Sequence, residues 1–151
     1  MLEETIQLER LRQQIEDAEF TVGDQSDYLD LGKPNAAQAK SAKETIARMQ
    51  AKSGELKAEL HELIATVRRE NPQAFEEWVN FHKGIMERII AEPTSNTHTK
   101  VRQNVARETL QAWDKVLAGE QEYVNINWHY LKDYKAEVRN LGGKKAWWKF
   151  W

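Results

Sequence analysis

A regular repeat of apolar and small residues constrains the fold of this chain more than any other feature. The repeat advances by steps of three and four without interruption, through Ala39, Ala42, Ile46, Met49, Ser53, Leu56, Leu60, Leu63 and Val67. Such steps place side chains on one face of an α-helix, as in the heptads of coiled coils. The pattern therefore predicts one long helix whose apolar face packs against another helix.

We expect this helix to run from about Asn35 to Glu70, because loop-forming residues precede it and Asn71-Pro72 follows it. At 1.5 Å per residue it would be about 50 Å long. Gly54 lies within the segment and costs about 1 kcal/mol relative to alanine. The repeat passes through Gly54 in register, so we expect the glycine to be tolerated.

A first helix is predicted from about Leu2 to Val22. Its apolar positions again step by three and four, at Leu8, Leu11, Ile15, Ala18 and Val22. Gly23 is the expected C-terminal cap, because glycine adopts the left-handed conformation that ends many helices. Residues 23–35 are rich in Asp, Ser, Gly and Pro and are interpreted as a connector, with Tyr28, Leu29 and Leu31 folding back onto the helices.

A third helix is expected from Pro72 to about Ala91. Asparagine is a favourable cap and proline is favoured at the first helical position, so Asn71-Pro72 marks its start. Its apolar face is broad, which is typical of a helix buried among several neighbours. That face comprises Phe75, Trp78, Val79, His82, Ile85, Met86, Ile89 and Ile90. A polar loop follows at residues 93–99.

The remainder of the chain allows more than one interpretation. With Thr97 or Thr99 as the cap, one helix of about 40 residues would fit the apolar spacing as far as Leu141. A break near Gly119 is the alternative. Residues 123–130 alternate as in a strand, but we favour helix because both flanking segments are helical.

The predicted fold class is all-α: an antiparallel helical bundle built on a long coiled-coil-like helical hairpin. At 151 residues the chain is long enough to bury a core as one domain. We assign residues 1–143 to the helical bundle domain. Residues 144–151 form a short aromatic-basic C-terminal segment, called the tail below.

The search for catalytic and ligand-binding patterns gives no candidates. The chain has no cysteine, none of its four histidines belongs to a Glu-x-x-His or His-x-x-x-His motif, and glycine-rich phosphate loops are missing. His82 lies on an apolar face and is interpreted as a core histidine with one hydrogen-bond partner. We therefore predict a non-enzyme with no catalytic residue, no cofactor and no metal site.

Charge and composition narrow the classes of partner. The net charge of −2 argues against a dedicated nucleic-acid-binding protein, and no apolar run approaches the roughly 20 residues that span a bilayer. Lack of cysteine favours a reducing, cytoplasmic location. Residues 1–33 carry nine acidic against three basic residues, whereas the last eight residues carry three lysines and no acid. Such asymmetry is typical of interaction surfaces.

The tail is the strongest local indication of a binding segment, because four aromatic residues and three lysines follow a glycine pair. The residues are Lys144, Lys145, Trp147, Trp148, Lys149, Phe150 and Trp151. Three interpretations compete: a docking peptide that enters a pocket of a partner protein, a segment that packs on its own bundle, and a membrane-interface anchor. We favour docking, since tryptophan is enriched at interface hot spots.

The predicted function is that of a non-catalytic adaptor, assembly or chaperone-type protein. Its partner would be another protein, bound through the helical surface and the tail, and the 39–67 repeat would also serve a homo-oligomer. Long amphipathic helices with a terminal aromatic peptide resemble many small adaptor, chaperone and assembly proteins. The alternative is a peripheral membrane-surface protein that uses the Lys/Trp tail on anionic lipid.

Overall fold

Five α-helices make up most of the protein in the computed structural model, which describes residues 1–127 and 129–142. They are α1 (Glu3–Leu31), α2 (Ala36–Glu70), α3 (Pro72–Ile90), α4 (Thr97–Ala118) and α5 (Lys132–Gly142). Within these described residues there is no β-strand. The predicted all-α class is therefore confirmed.

The first helix ends nine residues later than predicted, and the assignment of Gly23 as its cap is wrong. Helix α1 continues through Gly23 to Leu31, and Gly32 is the capping residue. A glycine ends a helix only where the chain turns away, whereas here α2 packs beside α1 and keeps residues 23–31 helical. Tyr28 and Leu29 are half-buried as a result, but Leu31 remains 80% exposed.

The turn between α1 and α2 is short. Lys33 adopts a left-handed conformation with φ of 49°. Asn35 then starts α2 through a capping box, in which its side chain accepts a hydrogen bond from the Gln38 N–H and the Gln38 side chain accepts one from the Asn35 N–H. The predicted bounds of the long helix are confirmed to within a residue.

Helices α3 and α4 begin close to the predicted positions, although their caps differ. The Asn71 side chain makes no capping bond and instead donates to Glu4 of α1 at 3.3 Å. The cap of α4 is Asn96, whose side-chain oxygen accepts a hydrogen bond from the Thr99 N–H at 2.8 Å. The expectation that Thr97 or Thr99 caps this helix is therefore wrong.

The favoured single helix from Thr97 to Leu141 is also wrong, because the chain breaks at Gly119. This glycine has φ of 81°, the left-handed conformation that ends α4. Residues 120–127 and 129–131 are irregular, neither the favoured helix nor a strand. Two backbone groups of this irregular segment, the Val124 carbonyl and the Ile126 N–H, are bonded to side chains of α1.

Two apolar clusters form the core. The first joins α1 and the C-terminal half of α2 to the first half of α3 and the end of α4. The second joins the end of α3 to α4, the irregular segment and α5. Trp78 of α3 and Trp113 of α4 are fully buried and meet edge to face, with ring centroids 5.1 Å apart. This aromatic pair lies in the first cluster.

The repeat of α2 is not buried uniformly. Leu56, Leu60 and Val67 belong to the core, as predicted. Ile46, Met49 and Leu63, also expected to be buried, are only half-buried.

Truncation of Leu60 tests the buried part of this repeat. Leu60 is 1% exposed, so Leu60→Ala should lower the free energy of unfolding by about 2–5 kcal/mol through lost apolar burial and a residual cavity. Equilibrium denaturation measures this change. Glu62→Ala, at an exposed position two residues further along the helix, is the control and should leave the transition midpoint nearly unchanged. Equal midpoints for both variants would contradict the packing described here.

Candidate functional site

The interior of the protein contains a row of charged side chains on α1. Glu9, Arg12 and Glu16 are 1%, 0% and 4% exposed. Their spacing of three and four residues places them on one helical face. Arg12 Nε donates to both carboxylate oxygens of Glu9 at 2.5 and 3.0 Å, and Arg12 Nη1 donates to Glu16 at 2.8 Å.

A chain of hydrogen bonds leads from Glu9 into the aromatic core. His82 Nε2 lies 2.7 Å from Glu9 Oε2, and His82 Nδ1 lies 2.5 Å from the Tyr134 hydroxyl. Trp113 Nε1 donates to the same hydroxyl at 3.2 Å. The His82 ring also stacks on Trp113, with centroids 4.0 Å apart and planes 7° from parallel. We call these groups, together with Arg12 and Glu16, the buried network.

One set of protonation states satisfies every bond along this chain. Trp113 donates to Tyr134, the Tyr134 hydroxyl donates to His82 Nδ1, and the His82 Nε2–H donates to ionised Glu9. Burial raises the pKa of Tyr134, so the hydroxyl keeps its proton. Burial lowers the pKa of His82 despite the opposing charge of Glu9, so the imidazole is neutral at pH 7. The geometry therefore selects the Nε2–H tautomer.

The two carboxylates stay ionised although they are buried. Burial alone would raise the pKa of Glu9, but the positive charge of Arg12 and the hydrogen bonds from His82 and Arg12 outweigh it and lower that pKa. The pKa of Glu16 is lowered in the same way, with the Ile126 N–H as a further donor at 2.8 Å. Arg12 in turn has a raised pKa and remains a cation.

The network reaches the surface at Glu16. Its Oε1 atom lies 3.4 Å from Lys135 Nζ and 3.3 Å from Arg139 Nη2, both on α5. Arg139 also pairs with exposed Asp17. When His82 is neutral, the number of positive charges in and beside the network equals the number of negative charges. The cations are Arg12, Lys135 and Arg139, and the carboxylates are Glu9, Glu16 and Asp17. Protonation of His82 would add a buried positive charge with no further anion to balance it.

The buried network connects elements of the fold away from the protein surface. Glu9, Arg12 and His82 are each no more than 1% exposed. Their bonds connect α1 to α3, to α5 and to the irregular segment, where Arg12 Nη1 donates to the Val124 carbonyl at 3.1 Å. The arrangement orients these elements relative to one another.

Sequence reasoning assigned only part of this network. His82 was predicted as a core histidine with one partner, and it is a core residue with a partner on each ring nitrogen. The sequence signal for the remainder is the Glu9, Arg12, Glu16 spacing, which runs beside the apolar positions Leu8 and Ile15. An acidic, a basic and an acidic residue spaced by three and four positions also occur commonly on helix faces that are exposed to solvent. The pattern alone therefore does not indicate burial.

An open groove of about 570 Å³ lies between α1 and α5, and we call it the α1–α5 groove. Phe20 forms part of its wall and is 53% exposed, with Lys135 Nζ 5.4 Å from the ring centroid. The remaining lining residues are Asp17, Lys132, Ala136, Arg139 and Asn140. The groove thus combines an accessible aromatic ring with more cationic than anionic side chains.

The predicted partner-binding residues of the tail, Lys144, Lys145, Trp147, Trp148, Lys149, Phe150 and Trp151, lie outside the described residues. Among residues 1–127 and 129–142, no group of three or more His, Asp or Glu side chains is placed to hold a metal ion. In that same part of the chain, no helix combines the length and apolar character needed to cross a bilayer.

Comparison with known proteins gives no match to a protein-family model, to a curated protein or to a solved structure.

The protonation of His82 predicts how stability depends on pH. The unfolded histidine binds a proton below about pH 6.5 but the folded one does not, so the unfolded state binds more protons as the pH falls. Stability should therefore decrease from about pH 6.5 downward, by at most about 1.4 kcal/mol per pH unit for this group. The lowered pKa values of Glu9 and Glu16 add to the loss below about pH 4.5.

Nuclear magnetic resonance of the four histidines checks this assignment directly. His82 should stay neutral, as the Nε2–H tautomer, well below pH 6.5. His61, which is exposed and lies 2.7 Å from Glu122, serves as the internal reference. A His82 resonance that titrates near pH 6.5 in the folded protein would overturn the neutral-histidine description.

Removal of the Tyr134 hydroxyl tests the link to α5. Tyr134→Phe leaves His82 Nδ1 and Trp113 Nε1 without their buried partner, so the free energy of unfolding should fall by about 1–3 kcal/mol. Tyr130→Phe, which lies outside the network, is the matched control. A Tyr134→Phe variant as stable as the wild type would show that the hydroxyl contributes nothing net.

Proposed function

We propose that the protein is a non-catalytic adaptor or assembly protein that binds another protein through the α1–α5 groove and the tail. The observation that carries the proposal is the accessible Phe20 ring in an open, partly cationic groove along α5. Helix α5 ends at Gly142, immediately before the Lys/Trp tail. The groove and the tail, which follow one another in sequence, share aromatic and basic residue types.

The chemistry of the groove and the tail defines the partner class. Lys132, Lys135 and Arg139 in the groove, with the three tail lysines, favour an acidic segment. The tail tryptophans require an apolar pocket in the partner, and Phe20 offers a contact for an apolar side chain in return. The coiled-coil-like pairing of α1 with α2 and the packing of the remaining helices would act as the scaffold. A cytoplasmic location, which the lack of cysteine favours, belongs to the same proposal.

The groove and the tail can be tested separately in the full chain. A partner is first isolated with the wild-type protein, then purified and titrated against variants. Trp148→Ala, Trp151→Ala and Phe20→Ala should each weaken its affinity by about 2 kcal/mol, the range of aromatic hot spots. Leu31→Ala is the control, because Leu31 is also exposed but lies at the far end of α1.

Charge and lipid experiments separate the competing interpretations. Replacement of Lys144, Lys145 and Lys149 should slow association and reduce its salt dependence, since charges at the rim of an interface mainly steer encounter. Binding to phosphatidylserine vesicles, with no protein partner recovered, would favour the membrane-surface alternative. Aromatic tail variants that lower the melting temperature without weakening binding would show that the tail packs on its own bundle.

A further inference from the structure

The distal parts of α1 and α2 form a two-helix unit beyond the core. We call this unit the arm and define it as residues 17–31 of α1 and 39–55 of α2. In the described part of the chain, neither core cluster contains a residue between Ile15 and Leu56. Ala42 is buried, whereas Thr21, Ile46 and Met49 remain half-buried. The arm therefore keeps partly exposed apolar surface at Ile46 and Met49.

One side of the arm carries a shallow groove of about 180 Å³, here the arm groove. It is lined by Gln14, Asp17, Ala18, Thr21, Met49 and Lys52. Its α1 edge is acidic and its α2 edge is basic. Helical spacing extends both edges toward the tip, because Asp24 lies two turns beyond Asp17 and Arg48 lies one turn from Lys52.

Apart from Asp17, the charges along these edges have no partner of opposite sign among residues 1–127 and 129–142. Asp24, Arg48 and Lys52 form no ion pair with any other residue among 1–127 and 129–142, whereas Asp17 pairs with Arg139. The opposite side of the arm differs, since Glu19 and Lys57 pair there at 2.7 Å. Within the described residues, the α1 edge thus has an acid without an ion pair at Asp24, beyond the lining residue Asp17, and the α2 edge has bases without an ion pair at Arg48 and Lys52.

We propose that the arm groove binds the arm groove of a second copy of this chain in a two-fold symmetric dimer. Thr21 of α1 and Met49 of α2 line the same groove. With these two residues taken as level, counting in opposite directions along the antiparallel helices places Asp24 level with Ile46 and within a turn of Arg48. A two-fold axis parallel to the arm places the acidic α1 edge of one copy opposite the basic α2 edge of the other. Each residue keeps its height along the arm. Asp24 of each copy then faces Arg48 of the other.

This symmetry accounts for both features of the arm groove. In an isologous interface the same surface meets itself, so that surface must be complementary to itself. A surface with one acidic and one basic edge meets this requirement. Packing of two such helix pairs also covers Thr21 and Met49, in the manner of a four-helix bundle. A partner of a single charge sign would instead leave one edge facing a like charge. The dimer does not depend on what the tail binds.

Exchange of charges between copies tests the dimer in the full chain. Light scattering should show a mass that rises toward twice 17.6 kDa over micromolar concentrations. A dimer contains two symmetry-related contacts between position 24 of one copy and position 48 of the other. Asp24→Lys or Arg48→Glu makes the charges in both contacts alike, so the dimer dissociation constant of each variant should rise at least about tenfold. A mixture of the two variants should recover dimers, because both pairs in the mixed dimer are again opposite in sign.

Matched controls lie on the other side of the arm. Asp30→Lys and Lys43→Glu make the same charge changes on the side that carries the Glu19–Lys57 pair, and they should not alter dimerisation. Asp24 and Arg48 are both exposed, so circular dichroism should show that their variants fold. A monomer at every concentration, dimers unaffected by the charge variants, or a mixture that stays monomeric would each overturn the proposal.

Discussion

Arg12 is the residue on which the arrangement of the remaining elements depends. A guanidinium ion with no exposed surface is costly to bury unless anions and hydrogen-bond acceptors surround it. Glu9 and Glu16 supply the charges from the same helix, and the Val124 carbonyl supplies a further acceptor from the irregular segment. Loss of either carboxylate would leave a buried cation undercompensated. Arg12 therefore ties the irregular segment to α1.

The side chain of Glu16, which pairs with Arg12, also helps to explain why residues 120–127 and 129–131 are not helical. In a helix the Ile126 N–H would bond to a carbonyl four residues earlier, but here it donates to Glu16. Gly119 permits the change of direction that brings this segment across α1. Val124, Ile126 and Leu131 are then buried without regular secondary structure. The segment gains from α1 the hydrogen bonds that a helix would have supplied.

The buried network and the α1–α5 groove share one helix face. Glu16 faces inward to Arg12 and outward to Lys135 and Arg139, which line the groove. The position of α5, and with it the wall of the groove, is therefore coupled to the network. A ligand that engages Lys135 or Arg139 would compete with Glu16 for the same cations. The proposed binding surface thus lies on an element held by the second apolar cluster on one side and by charged contacts with α1 on the other.

The helical class, the long α2 and the start of α3 follow from the sequence alone. Apolar steps of three and four, a capping asparagine and a proline at the first helical position act locally, so they can be recognised without knowledge of the fold. The extension of α1 through Gly23, the irregular segment and the burial of Glu9, Arg12 and Glu16 were decided by tertiary structure. Each depends on a neighbour distant in sequence, such as α2 beside Gly23 or Val124 beside Arg12. A charged residue on a helix face is predicted to be exposed to solvent. Its burial can be predicted only when the fold shows which oppositely charged or hydrogen-bonding group is buried with it.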